Sequence, residues 1–152
     1  MVLNVILGFV IPMVVGCWIL RKNLDLLLIF FPFGVATSTV FNNIGFNYYW
    51  YLVPEYTNRS FSALPFDIGL FPMAGCLMIY YIYKHRAHPW LAAIISAFVL
   101  TSIEWIAKEN GKVSYFNGWN ILWSYISYLI PMIMAYVYYL IFFKVFQARK
   151  SH

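Results

Sequence analysis

Five apolar runs, at residues 2–20, 24–46, 63–83, 90–107 and 119–143, divide the chain. A helix of roughly 20 residues is ~30 Å long, which matches the hydrocarbon thickness of a bilayer. Backbone polar groups in lipid must be satisfied within the segment, so runs of this kind form helices there. The composition agrees, with 63% of the 152 residues hydrophobic, 10% charged and a mean hydropathy of +0.73. No water-soluble core of this size hides so much apolar surface. The expected fold is an all-α polytopic transmembrane helical bundle, a single domain over residues 1–152 with five spans.

The net charge of +5 raises the question of nucleic acid. The basic residues form no stripe or face, however, and stand in small groups beside the apolar runs. Membrane orientation accounts for them better. The first run has no positive residue ahead of it and Arg21-Lys22 behind it. That is the reverse of a cleaved signal peptide, and predicts a retained span. With the N-terminus outside, the inner segments hold seven Lys and Arg residues and the outer segments hold Arg59, Lys108 and Lys112. The asymmetry predicts a multi-pass membrane protein with the N-terminus outside and the C-terminus cytoplasmic. A four-span arrangement with the kinked second run re-entrant is the alternative.

Small and imino residues punctuate the runs. Gly8, Pro12 and Gly16 share one narrow face, on which a neighbouring helix can come close. Pro32 and Pro131 remove backbone donors in mid-span, and the carbonyls of Leu28 and Ser127 lose their partners. Cys17 and Cys76 lie inside spans and read as packing residues, without the spacing of a disulfide framework or metal motif. His85 and His88 stand beside Lys84 and Arg86 and lack further ligands, so neither a metal nor a cofactor is expected. Residues 47–62 are rich in Tyr and Trp, as at a membrane interface. Within them Glu55 and Arg59 are spaced to pair, and Asn58-Arg-Ser has the form of a glycosylation acceptor.

Polar residues inside the spans carry the functional argument. An ionised carboxylate at the centre of a membrane helix costs about 2.5–3.5 kcal/mol, so Asp67 and Glu104 require a partner, a wet cavity or a ligand. Lys108, one turn beyond Glu104, is the local candidate for an ion pair. Alternation of the spans puts Asn42, Asn43, Asp67, Glu104, Trp105, Asn120 and Ser124 at similar depth, near Tyr115, Trp119 and Trp123. Two readings are open: a ligand pocket with an aromatic mouth, or a polar knot that locks the helices. The pocket would bind a small cationic or amphiphilic molecule through Asp67 and Glu104. The same carboxyls are the catalytic candidates if the protein is instead an isomerase- or cyclase-type enzyme on an isoprenoid-like substrate. A structural or accessory subunit, a homo-oligomer, or pairing with another membrane protein are the further possibilities.

The segments Phe61-Ser-Ala-Leu-Pro-Phe-Asp-Ile-Gly-Leu-Phe-Pro72 and Gly111-Lys-Val-Ser-Tyr-Phe-Asn-Gly-Trp-Asn-Ile-Leu-Trp-Ser-Tyr-Ile-Ser-Tyr-Leu-Ile-Pro131, with Glu104 between them, resemble a family of small multi-span membrane proteins from spore-forming Firmicutes. The resemblance runs end to end and implies a bacterial inner-membrane protein, with no activity attached. A fainter likeness is to sterol-isomerase and sigma-2-type five-span bundles, through Asn120 and Trp123 one helical turn apart. No histidine in the spans matches the isomerase site.

Overall fold

The computed structural model describes residues 2–53 and 60–150, the last seven of these by backbone alone. Five long helices carry the chain: α1 (Val2–Leu20), α2 (Leu24–Tyr48), α3 (Ser60–His85), α4 (Pro89–Glu109) and α5 (Ile121–Lys150). All five are long and apolar enough to cross a membrane, within a few residues of the runs expected from sequence. Glu55, Asn58 and Arg59 lie outside the described residues.

The third helix is the axis of the bundle and touches the other four. Over its most apolar stretch 56% of residues are buried, against 11–22% in the other helices. Its Met73, Cys76 and Ile79 form the core with Leu20, Phe30 and Met132. Large side chains such as Val14, Leu28, Phe98 and Leu122 are exposed on the outside of the bundle, where a lipid solvent accepts them.

Close backbone approach brings α1 and α2 against this axis. A Cβ at Gly34 would stand 2.6 Å from Pro72 Cα, and one at Gly69 would fall on the Gly8 carbonyl and 2.7 Å from Phe9 Cα. The glycines are therefore contact surfaces. Gly8 receives the Phe66 ring and Gly16 the Met73 thioether, so the small face of α1 packs on α3.

Two features depart from plain α-helix. α1 widens into a π-turn over Ile6–Val10, and α3 does the same over Phe66–Leu70, each shortly before a proline, Pro12 or Pro72. A proline leaves a carbonyl without its helical donor, and a wider turn redistributes that defect. The loops expected at 47–62 and 108–118 also contain two short strands, β1 (Trp50–Leu52) and β2 (Val113–Tyr115). They pair antiparallel, with Trp50 opposite Tyr115 and Leu52 opposite Val113. Aromatic and β-branched residues suit such a ladder. It ties the α2–α3 connection to the α4–α5 connection at one end of the bundle.

Candidate functional site

Asp67 sits in the π-turn of α3 and is only 4% exposed. In that register its backbone carbonyl would look five residues ahead to Pro72, which has no N–H. The Ser38 hydroxyl of α2 donates to this carbonyl instead, at 3.0 Å. Beside it the Asn42 Nδ2 donates to Asp67 Oδ1 at 2.5 Å. One face of α2, through Ser38 and Asn42, thus serves both the backbone and the carboxylate of Asp67.

Glu104 is held differently. Its Oε1 accepts hydrogen bonds from the Tyr115 hydroxyl and, at 2.6 Å, from the Ser124 hydroxyl, while Oε2 accepts from the Tyr128 hydroxyl. The Trp119 indole N–H donates to Ser124 Oγ at 2.9 Å. Hydroxyls from β2 and α5 therefore surround a carboxyl from α4. Burial, then the Glu104 carboxylate, push the Tyr115 phenol above the ordinary tyrosine range and keep it a donor. Lys108 is not the partner the sequence suggested: its Nζ lies 3.7 Å from Glu109 and 5.7 Å over the Tyr115 ring.

The segment before α5 positions this cluster. Asn117 and Gly118 adopt left-handed φ values of 51° and 75°, turning the chain so that Trp119 lies over Trp50 at 4.8 Å between ring centres. Asn120 Oδ1 accepts from the Leu122 and Trp123 amides and so caps α5. Each residue of the Asn-Gly-Trp-Asn segment has a local structural task.

Two cavities flank these groups. A deep one, about 50 Å³ open to the centre of a water molecule, lies among α2, α3 and α5, walled by Phe33, Asn42, Trp50, Phe71, Ser127 and Tyr128. Space of this order admits several waters or a slender apolar group. Gly75 faces it, since a Cβ there would meet nothing within 4 Å. A second, about 150 Å³ by the same measure, lies on the flank between α2 and the start of α3, lined by Thr39, Asn42, Asn43, Phe46, Ser60 and Asp67. Asn42 borders both. Among the described residues no Lys or Arg lines either cavity.

The structure divides the residues singled out from sequence into two groups. Asn42, Asn43 and Asp67 meet at the flank cavity; Glu104, Trp119 and Ser124 meet in the hydroxyl cluster, with Asn120 at its helix cap. Trp105 and Trp123 are 56% and 52% exposed and line neither cavity, although Trp123 stands 6.3 Å from Trp119. Tyr128 joins the hydroxyl cluster to the deep cavity, bonding Glu104 while walling that cavity, and sequence reasoning passed over it. Its signal was the spacing Ser124, Tyr128, one turn apart on the face toward Glu104. Among the described residues no group of three His, Cys, Asp or Glu side chains is placed to hold a metal.

Fold and site together define a multi-pass membrane protein with a buried polar end. No family model, no curated protein and no solved structure matches this chain.

Proposed function

We propose that the protein is a plasma-membrane binding protein, with its polar end outward, which holds a small cationic or amphiphilic molecule in the cavities beside Asp67. The observation that carries this reading is the buried Asp67 carboxylate at a cavity wall, bonded by the neutral Asn42 amide and bordered, among the described residues, by no basic residue. In a low dielectric a lone negative charge attracts a cation strongly. The aromatic wall of the deep cavity suits the apolar part of an amphiphile. A place among the Firmicutes membrane proteins that the sequence resembles agrees with this setting.

The two acids take different parts. Glu104, enclosed by three hydroxyls, is a lock between α4, β2 and α5; Asp67 is the recognition group. Native mass spectrometry with lipid extraction tests the division. Wild type is expected to retain a small molecule that Asp67→Asn loses, with stability changed by less than about 1 kcal/mol because Asn still accepts from Asn42. Glu104→Gln puts a donor among donors, and is expected to cost about 1–3 kcal/mol of stability while keeping the molecule. An empty wild type together with two equally destabilised variants would leave only a polar knot.

A second reading is an isomerase-type enzyme. The Tyr128 hydroxyl, bonded to Glu104 and walling the deep cavity, favours it as a proton-transfer group. Recovery of a rearranged product from a supplied isoprenoid would decide for it.

A further inference from the structure

We infer that the two cavities are one bipartite site for an amphiphile with a protonated, N–H-bearing amine: the head displaces Asn42 from Asp67 in the flank cavity, and the tail enters the deep one. This rests on the binding reading above and names its ligand class. Among the described residues Asn42 alone lines both cavities, and its amide is bonded across the boundary to Asp67 Oδ1. The hydrogen bond is the partition between them. A head group that takes Asp67 frees the Asn42 side chain to turn and joins the two spaces.

The chemistry of the head follows from what Asn42 leaves behind. A buried carboxylate that loses an N–H donor must receive another, or it bears the full desolvation cost of an unmet acceptor. A primary ammonium brings three donors. Asp67 accepts one, and the Asn43 amide oxygen and Thr39 hydroxyl, one turn apart on α2 and both lining the flank cavity, are acceptors for the others. A quaternary ammonium brings none. It relies on aromatic faces, and among the described residues the flank cavity has one ring, Phe46. Rings lie in the deep cavity instead, where Phe33, Phe41, Trp50 and Phe71 fit a hydrocarbon chain.

Access is lateral. Thr39, Val40 and Asn43 are exposed on the side of the bundle, and Asn43 is five residues, about 8 Å, from the end of α2. That is the depth at which an amphiphile already resides, with its head near the interface. The same R–NH₃⁺ chemistry belongs to a free alkylamine and to the headgroup of phosphatidylethanolamine.

The test uses the full-length protein in phosphatidylcholine nanodiscs, titrated with octylamine, octyltrimethylammonium and octanol and read by native mass spectrometry. Octylamine is expected to bind at one per chain, at least tenfold more tightly than either analogue, with Asp67→Asn weakening it at least tenfold. Gly75→Leu, which fills the deep cavity from a position with open space, is expected to abolish octylamine binding with the fold intact. Asn42→Leu removes the competing donor and is expected to tighten binding severalfold. Adding phosphatidylethanolamine separates the sources: competition with octylamine identifies the lipid headgroup, and an unchanged affinity identifies a free amine. Equal binding of the two cations overturns the N–H selection and leaves the cavity reading standing. Octylamine binding indifferent to Asp67→Asn places the head elsewhere and overturns the proposal. Binding of none of the three by wild type overturns the proposal and the cavity reading together.

Discussion

Tyr115 shows how one side chain responds to a carboxylate placed beside it. Its hydroxyl donates to Glu104, and burial and that neighbour both raise its pKa above the ordinary value of 10.0. The folded chain therefore holds this proton more tightly than the unfolded chain, whose tyrosines titrate near ~10. The stabilisation is complete below pH ~10 and is lost as pH rises through the folded value. Thermal unfolding in detergent between neutral pH and strong alkali is expected to show a midpoint that falls above pH ~10. Tyr115→Phe should lower the neutral-pH midpoint, because Glu104 loses a donor, and should flatten the alkaline decline. Equal alkaline slopes in the two proteins would show that the Tyr115 proton does not couple to folding.

Helix contacts place two glycines of α3 in opposite situations, six residues apart. Gly69 lies against the backbone of α1 at Gly8 and Phe9, whereas Gly75 faces open space. Backbone cannot give way as a flexible side chain does, so Gly69→Ala is expected to push α1 aside at a cost of about 1–3 kcal/mol. Gly75→Ala meets nothing and gains helix propensity, for an increase of up to about 1 kcal/mol. Chemical unfolding of the two variants in one detergent checks the contrast, and comparable destabilisation of both would contradict the placement of the deep cavity. The helices themselves were legible as five apolar runs, because length and hydropathy alone decide a span. The small face of α1 was legible too, as Gly8 and Gly16. The π-turn under Asp67 was not read, although Pro72 stands five residues beyond it, because hydropathy is blind to which carbonyl lacks a donor. The β1–β2 ladder was hidden for another reason: three-residue strands carry too little pattern to distinguish them from an interfacial aromatic loop. Depth grouped Asp67, Glu104 and their neighbours at one end. It had no means of separating them around the bundle axis, and that separation is what assigns Glu104 to hydroxyls and Asp67 to a cavity.

At the scale of the molecule the question is which end faces which compartment. The polar end carries the ladder, the flank cavity, the hydroxyl cluster around Glu104 and the α2–α3 and α4–α5 connections; the opposite end carries Arg21 and Lys22 between α1 and α2, and Lys84 and Arg86 at the end of α3. The described residues at the polar end include Lys108, in the last turn of α4, and Lys112 in the connection after it, but Lys108 lies beside Glu109. Short loops enriched in Lys and Arg remain cytoplasmic. We therefore expect the end with Arg21 and Lys84 to be cytoplasmic and the β1–β2 ladder to be outside. A Cys17→Ser, Cys76→Ser background, with single cysteines introduced at Lys112 beside the ladder or Ala87 in the α3–α4 turn, makes this measurable. A membrane-impermeant maleimide applied to intact cells should label Lys112→Cys and spare Ala87→Cys until the cells are opened. The reverse pattern would turn the flank cavity toward the cytoplasm, so that any amine reaching Asp67 would come from the inner leaflet.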